Sequence, residues 1–460
     1  MEKKTLWESY APEQLDEMEQ VSSLYKNCID AGKTERECVR VSVEMAEKAG
    51  YVPLADCIRE NRTLKAGDKV YAAYNEKTLV LYHIGKEPLE NGMNILGAHI
   101  DSPRIDVKQN PLYEDNGFAY LDTHYYGGIK KYQWVTIPLA LHGVIIRKDG
   151  TSVNVTIGEK DSDPVFTITD LLVHLSGSQM EKNAGKVIEG ENLDLLIGSI
   201  PLEGEEKEAV KANILKLLLD TYQVEEEDFL SAELEIVPAG KARDLGLDRS
   251  MLLAYGQDDR ICAFTSLMAM LDMDTPDRTA CCLLVDKEEI GSYGASGMQS
   301  RFFENMTAEL LALCGYPSAL SVRRTLQNSK MLSSDVSAGY DPLYAEAFEK
   351  KNSAYLGKGL VFNKYTGSRG KSGSSDANPE FMAAIRRVMD DNGIAFQTAE
   401  LGKVDFGGGG TIAWIMAKFG MEVIDCGIAL LCMHAPMEVS SKADIYDAVR
   451  GYRAFLKDMK

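Results

Sequence analysis

The spacing of apolar residues predicts two helices at the start of the chain. Within residues 11–50, apolar side chains recur at steps of three and four, which is the period of an amphipathic helix. The recurring positions are Leu15, Met18, Val21, Leu24, Tyr25 and Cys28. Thr34 followed by Glu37 has the pattern of a capping box, and Gly50 would end the second helix.

Short apolar runs further along the chain predict buried strands that alternate with helices. The predicted strands are 70–82 (a pair with a turn at 75–77), 95–99, 281–285, 319–322 and 423–431. The predicted helices are 261–271, 301–314, 381–389 and 411–419. Alternation of this kind is typical of an α/β protein.

A different pattern begins near residue 109. Turn-forming pairs of Asn, Asp, Gly and Pro separate short β-type runs such as 134–146 and 151–157. A charged helical segment, 205–222, and a further strand, 232–237, complete this part. Because α/β character lies on both sides, we expect residues 109–246 to be an inserted β-rich domain. Residues 1–108 and 247–460 then form one discontinuous domain.

Composition narrows the class of protein. The 460 residues are 45% hydrophobic and 26% charged, and the net charge is −20. A charge of this sign argues against binding nucleic acid or an anionic membrane surface. No apolar run approaches membrane-spanning length, and residues 1–7 lack the apolar core of a signal peptide. The nine scattered cysteines include no CxxC pair, so we expect reduced thiols and a cytoplasmic protein.

Acidic and histidine side chains follow several of the predicted strands and precede one helix. The run 281–285 ends at Asp286-Lys287-Glu288-Glu289, which taken alone could be an ordinary acidic loop. Comparable places hold His99, Asp259, Asp335 and His434. Two histidines and three carboxylates suit two divalent metals that share a bridging carboxylate. Asp101, two residues past His99, could accept the second imidazole N–H.

Each of these residues also has a structural interpretation. The two histidines could be satisfied core residues. Asp259 could cap the helix that follows it, and Asp335 could be a turn residue. The joint pattern favours the metal site.

The motifs resemble those of the aspartyl aminopeptidase/aminopeptidase I family of two-zinc exopeptidases, and within it the bacterial aminopeptidase 1 branch. The resemblance spans nearly the whole chain in the same motif order. The matching stretches are His99-Ile100-Asp101-Ser102-Pro103, Asp259-Arg260, Glu288-Glu289-Ile290-Gly291-Ser292, Asp335, Met433-His434-Ala435-Pro436, 123–128 and 364–371.

The resemblance implies a fold, an activity and an assembly. The fold would be a mixed-sheet zinc-exopeptidase domain flanked by helices, with the inserted domain serving as a dimerisation or lid domain. The activity would be removal of N-terminal residues from peptide substrates. The assembly would be a homo-oligomer, a dodecamer built from dimers.

The resemblance also assigns roles to residues. Asp259 would bridge two divalent ions, most commonly Zn²⁺ with Co²⁺ or Mn²⁺ as alternatives. His99 and Asp335 would complete one site, and Glu289 and His434 the other. Glu288 would be the free general base, and Asp101 would orient His99.

Three further residues are candidates for substrate binding. Lys364 matches a substrate-pocket lysine of the family, although it could also be a solvated loop lysine. His174 lies where the family has a histidine that reaches a neighbouring subunit's active site, although a histidine in an apolar run is often structural. Gly409 belongs to the turn 407–410, where backbone must approach substrate closely. A histidine that the family often has after the position of Asp335 is missing here.

Two other functions remain open from the sequence. One is a related two-zinc hydrolase, such as a deblocking aminopeptidase or an amidohydrolase. The other is a metal-stabilised assembly protein with vestigial activity, and the presence of Glu288 beside all five candidate ligands argues against it.

Overall fold

The computed structural model describes residues 5–460, so the first four residues, part of the stretch considered for a signal peptide, lie outside the described residues. The α-helices of the described part are α1 (Pro12–Ala31), α2 (Glu35–Lys48), α3 (Leu54–Arg59), α4 (Gly177–Met180), α5 (Ala209–Tyr222), α6 (Gln257–Leu271), α7 (Phe302–Leu313), α8 (Ala319–Asn328), α9 (Pro379–Asp391), α10 (Ala413–Ala417) and α11 (Lys442–Asp458). Within residues 5–460 no helix combines the length and apolar character needed to cross a membrane.

Most strands are short, and nine of the twenty within residues 5–460 overlap the apolar runs predicted from the sequence. They are β1 (Val52–Pro53), β2 (Lys69–Tyr74), β3 (Thr78–His83), β4 (Met93–His99), β5 (Arg104–Asp115), β6 (Phe118–Tyr126), β7 (Leu139–Ile146), β8 (Ser152–Ile157), β9 (Leu195–Gly198), β10 (Ala232–Pro238), β11 (Arg243–Leu245), β12 (Met251–Ala254), β13 (Thr279–Val285), β14 (Lys330–Ser333), β15 (Ser337–Ala338), β16 (Leu360–Asn363), β17 (Phe396–Thr398), β18 (Glu422–Gly427), β19 (Ala429–Leu430) and β20 (Glu438–Ser441).

The chain divides into two compact units. Among the described residues, unit 1 comprises 5–101, Ala242–Met433 and Glu438–Lys460, and unit 2 comprises Ser102–Lys241 and His434–Met437. The short segment that begins at His434 therefore belongs with residues far earlier in the chain. The domain limits expected from the sequence, 109 and 246, and the role of that domain in dimerisation stay predictions.

Unit 1 is built on a nine-stranded mixed sheet. Its strand order is β1-β2-β3-β13-β4-β14-β18-β16-β17. The four central strands β13, β4, β14 and β18 are mutually parallel, whereas β3 and β16 pair antiparallel to their central neighbours. The predicted α/β fold with a mixed sheet flanked by helices is confirmed.

Alternating side chains of the central strands feed two apolar cores, one on each face of the sheet. Along β13, Cys282 and Leu284 pack in a cluster with α1, α2, α6, α9 and α11. Cys281 and Leu283 pack in a second cluster with α3, α7, α8 and α10. Because both faces are covered, these strands read as continuous apolar runs rather than alternating ones.

Unit 2 contains a six-stranded antiparallel sheet in the order β8-β7-β10-β5-β6-β9. Helix α5 packs against β5 and β6. The register of the β5–β6 pair shifts between Val107 and Leu112, which is the signature of a bulge in the long strand β5.

One predicted strand is wrong, because residues 319–322 form the first turn of α8. The Ser318 side chain accepts the backbone N–H of Ser321 and so caps the helix. Val322 and Leu326 then turn to the core at helical spacing. A four-residue apolar run does not reveal this period by itself.

Candidate metal centre

Parallel pairing brings the ends of three central strands to the same edge of the unit 1 sheet. His99, the last residue of β4, lies opposite Val285, the last residue of β13. Strand β14 on the other side of β4 ends at Ser333, two residues before Asp335. Polar groups just past parallel strands meet at this edge, where α/β proteins place their sites.

Two groups of side chains near this edge have the spacing of metal ligands. One group is His99, Asp258 and Glu289, and the other is His99, Asp259 and Asp335. Within each group the potential ligand atoms lie within 4.8 Å of one another. Asp258 and Asp259 depart from helical backbone angles at the start of α6, which turns both carboxylates away from a regular first helical turn.

His99 stands at the centre of this arrangement and is almost fully buried. Its Nδ1 atom lies 2.9 Å from the carbonyl oxygen of Asp101, and its Nε2 atom lies 3.3 Å from Oδ1 of Asp258. Nε2 also lies 3.9 Å from Oε2 of Glu288. With Nδ1 occupied by the Asp101 carbonyl, Nε2 is the nitrogen that faces the carboxylates.

Asp101 also fixes the loop that follows β13. Its Oδ1 atom accepts the backbone N–H of Glu288, and its Oδ2 atom accepts that of Glu289, each at 3.1 Å. Glu288–Ile290 is a single 3₁₀ turn, whose first N–H groups need such acceptors. One buried carboxylate thus sets the positions of the adjacent glutamates that the sequence singled out.

The pKa values of the clustered side chains depart from their usual values. Burial is the largest influence on Asp259 and Asp335 and raises the pKa of each carboxyl well above its usual value. Burial alone would lower the pKa of His99, but hydrogen bonds to Asp101 and Asp258 outweigh it and raise that pKa. Each of the three groups therefore holds a proton more strongly than it would in water.

The residues fit a divalent metal. Both carboxylate oxygens of Asp259 are buried and accept no hydrogen bond from an N–H or O–H group within residues 5–460, and a bound cation would stabilise the ionised form of this carboxyl group. Two ligand atoms on one tetrahedral zinc are separated by about 3.4 Å, close to the separation of 3.3 Å between His99 Nε2 and Asp258 Oδ1. Imidazole together with carboxylates is a common donor set for zinc.

The fifth predicted ligand, His434, belongs to unit 2. Its Nδ1 atom lies 2.9 Å from the carbonyl oxygen of Gly128 in the same unit. This contact resembles that between His99 and Asp101, in which a backbone oxygen engages Nδ1.

None of the three predicted substrate-binding residues belongs to either ligand group. Lys364 is partly exposed and forms an ion pair with Asp376. The carbonyl oxygen of Gly409 accepts the backbone N–H of Gly367 at 2.6 Å. His174 is exposed on a 3₁₀ turn of unit 2.

Asp258 is the residue that reasoning from the sequence passed over. The sequence pattern indicated only Asp259 of the adjacent pair, whereas the geometry brings both carboxylates into ligand groups. The signal that could have identified Asp258 was adjacency, since titratable groups with perturbed pKa values cluster at functional sites and Asp258 stands next to a candidate ligand.

Comparison with known proteins gives this cluster its context. The family described as Aminopeptidase I zinc metalloprotease (M18) matches residues 28–456. A Clostridium acetobutylicum protein named Probable M18 family aminopeptidase 1 is 62% identical over 458 residues, which are 99% of this chain and 98% of that protein.

Solved structures agree. The crystal structure of an M18 family aminopeptidase from Thermotoga maritima is 44% identical, with a TM-score of 0.95 over 99% of both chains. Aminopeptidase I from C. acetobutylicum is 60% identical, with a TM-score of 0.93 over 100% of both chains. The S. cerevisiae mApe1 dodecamer shares the fold at 20% identity, with a TM-score of 0.78 over 96% of this chain and 98% of that chain.

These matches confirm the predicted resemblance, the hydrolase class and the use of zinc, and they do not favour the amidohydrolase or assembly-protein alternatives. The chain is a metal-dependent aminopeptidase and belongs to the aminopeptidase I zinc metalloprotease family, M18.

Proposed function

We propose that the cluster around His99 is the centre at which this aminopeptidase hydrolyses the N-terminal peptide bond of its substrates, with Glu288 as the general base. The observation that carries the proposal is the position of Asp101. Its carbonyl oxygen contacts His99, and its carboxylate accepts the backbone N–H groups of Glu288 and Glu289. One residue therefore orients a ligand imidazole, a ligand carboxylate and the free base together.

The ligands proposed for two divalent ions are His99, Asp258, Asp259, Glu289, Asp335 and His434. When bound, the ions supply Lewis acidity, which polarises the scissile carbonyl and makes water more acidic. The proximity of His99 Nε2 to Asp258 Oδ1 supports adding Asp258 to the set expected from the sequence. The zinc content of the Asp258→Asn and Asp259→Asn variants distinguishes which of the two is the shared carboxylate.

Glu288 is suited to carry a proton between water and the leaving group. Its carboxylate is partly exposed, and its Oε2 atom lies on the side of His99 that faces the carboxylates. It would accept a proton as the water oxygen attacks the carbonyl carbon. It would then donate that proton to the departing amine nitrogen as the C–N bond breaks.

Lys364, Gly409 and His174 remain our candidates for contacts with substrate. A cation such as Lys364 could pair with an acidic side chain of the peptide, but such a carboxylate would first have to displace Asp376. Backbone carbonyl and N–H groups of an exposed glycine turn could bind an extended peptide.

We also propose that the chain assembles as a homo-oligomer, a dodecamer built from dimers. The S. cerevisiae mApe1 relative is a dodecamer. Unit 2 exposes a run of apolar side chains that a second copy of the chain would cover, namely Leu171, Leu172, Val173 and Leu175. His174 lies inside this run, which is consistent with a role at a neighbouring subunit. Sedimentation of the Val173→Glu variant tests the assembly, and an unchanged particle mass would count against this surface.

Substitution of Glu288 by Gln tests the catalytic proposal. We expect the zinc content of the variant to match that of the parent and peptide hydrolysis to fall by roughly 10²- to 10⁴-fold. Glu309→Gln, on the exposed side of α7, is the matched control and should keep the parent rate. Hydrolysis by Glu288→Gln at the parent rate would remove Glu288 from the mechanism. Free and N-acylated peptides should be compared, since only the former are substrates of an aminopeptidase.

A further inference from the structure

Two exposed loops of unit 1 carry predicted substrate-binding groups. The first, residues 364–377, is called the lysine loop here and begins at Lys364. The second, residues 400–411, is called the glycine loop and contains Gly409. A backbone hydrogen bond of 2.6 Å from Gly367 N–H to the Gly409 carbonyl joins them.

A buried carboxylate beneath the loops holds both of them. Asp425 lies on β18, an internal strand of the nine-stranded sheet, and is 4% exposed. Its Oδ1 atom accepts the hydroxyl of Thr411 at 2.6 Å, at the end of the glycine loop. Its Oδ2 atom lies 3.5 Å from the hydroxyl of Thr366 in the lysine loop. One side chain on a central strand thus contacts both loops of the candidate binding surface.

Burial of a carboxylate at this position is energetically unfavourable. The contacts of Asp425 that fix the loops are hydroxyl groups rather than cations, so these contacts include no salt bridge that would offset its burial. Burial, the largest influence, raises the pKa of Asp425 to about 6. It is therefore mostly ionised at pH 7 and acts only as an acceptor, with one oxygen for each hydroxyl. An apolar residue would pack here at lower cost, and positions that break such a rule tend to be functional.

The loops also approach each other closely through glycine. Gly408 has a φ of +147°, and a Cβ atom there would lie 2.6 Å from the carbonyl oxygen of Gly367. Only a residue without a side chain permits this approach. This approach fixes the relative position of the loops at a second point, and a hydrogen bond from the Tyr365 hydroxyl to the Glu400 carboxylate joins them at a third.

We propose that Asp425 is a positioning residue that locks the lysine loop and the glycine loop into one peptide-binding surface. The inference rests on the proposed function, because it takes Lys364 and the glycine turn to face the substrate. A binding surface that is already ordered loses less conformational entropy when the peptide binds. Loss of the contacts between Asp425 and the two loops should therefore raise KM and leave kcat and zinc content close to those of the parent.

Thr411 offers a matched pair of variants. Thr411→Val keeps the shape of the side chain but removes the hydroxyl, whereas Thr411→Ser keeps the hydroxyl. We expect KM for a peptide substrate to rise roughly tenfold in Thr411→Val and to stay near the parent value in Thr411→Ser. Equal KM values for the two variants would overturn the proposal, because the hydroxyl would then have no role.

Hydrogen–deuterium exchange of the substrate-free, zinc-loaded enzyme provides a readout that does not depend on turnover. In Thr411→Val and in Asp425→Asn, exchange should become faster in both loops and stay unchanged in β13 and β14. Faster exchange confined to the glycine loop would show that Asp425 does not couple the two. A raised KM with unchanged exchange would identify a direct substrate contact instead, and would also overturn the proposal.

A double-mutant cycle separates this inference from the proposed function. The Asp425→Asn and Thr411→Val changes should be less than additive in their effect on exchange, since both remove the same contact. If the parent enzyme proved to use another catalytic centre, the exchange results would still hold while the KM results would not. Additive effects would show that the two side chains act independently and would overturn the proposal.

Discussion

The Oδ1 atom of Asp258 lies 3.3 Å from the Nε2 atom of His99. This separation suits two ligands of one cation, so Asp258 as well as Asp259 is a candidate ligand of the proposed metal centre. Asp259 belongs to the other potential ligand group, together with His99 and Asp335. The adjacent pair therefore connects the two ligand groups, each of which also contains His99.

The first prediction compares the contributions of Asp258 and Asp259 to zinc binding. We expect Asp258→Asn to lose more bound zinc than Asp259→Asn, because the Asp258 carboxylate is the one closest to the imidazole and a neutral amide is a poorer ligand. Zinc content after dialysis against a buffered metal solution measures the difference. Loss of both ions in Asp259→Asn with full occupancy in Asp258→Asn would restore Asp259 as the shared ligand.

The second prediction concerns Asp101. In Asp101→Asn, the amide NH₂ group would face one of the two backbone N–H groups that the carboxylate now accepts. The 3₁₀ turn that carries Glu288 and Glu289 should shift as a result. We expect zinc affinity to fall roughly 10- to 100-fold and kcat to fall as well. Competition with a chelator of known affinity gives the first quantity, and an unchanged affinity would show that the turn holds its position without Asp101.

The third prediction concerns protons released when metal binds. In the metal-free protein, Asp259, Asp335 and His99 all have pKa values raised above their usual range. Binding of a divalent cation at pH 7 should therefore release protons from the cluster. Calorimetric titration in buffers of different ionisation enthalpy should give different apparent binding enthalpies. Identical enthalpies in all buffers would mean that the groups are already deprotonated.

The fourth prediction is a dependence of stability on pH that originates away from the site. Burial is the main cause, with help from Lys69, of a lowering of the pKa of His83 to about 4. The unfolded chain, with a pKa near 6.5, then binds the proton more strongly, so stability is lost as pH falls from 6.5 toward 4. The loss should be about 2 kcal/mol at pH 5 relative to pH 8.

The His83→Gln variant tests this prediction. It cannot gain the proton, so its free energy of unfolding should fall less between pH 8 and pH 5 than that of the parent. Denaturant unfolding at the two pH values gives the comparison. Parallel losses in both proteins would show that other groups account for the acid sensitivity.

The sequence predicted strands β4 and β13 of the site because their local signals are strong, but it did not predict β14, which precedes Asp335. Strand β13 is apolar from Ala280 to Val285 and is followed by charged residues, and His99 ends another apolar run. The prediction of a strand at residues 319–322 was wrong because a four-residue apolar run fits a strand and a helix equally well. The helix becomes visible only when Val322 and Leu326 are seen on the same core.

The sequence could not predict how neighbouring side chains divide their roles. Which of Asp258 and Asp259 faces the imidazole depends on backbone angles that differ between the two residues. The pairing of Asp425 with two distant threonines depends on loops that meet only in three dimensions. Long-range contacts of single polar groups leave no periodic trace along the chain.

The grouping of His434–Met437 with residues 102–241 limits how the enzyme can be engineered. Excising the insertion to obtain a minimal catalytic fragment would strip a proposed zinc ligand of its surroundings, including the Gly128 carbonyl that its ring contacts. A truncated version would need a replacement loop that supplies an equivalent oxygen. The proposed ligand role of His434 therefore predicts that a fragment lacking residues 102–241 binds less zinc than the full chain.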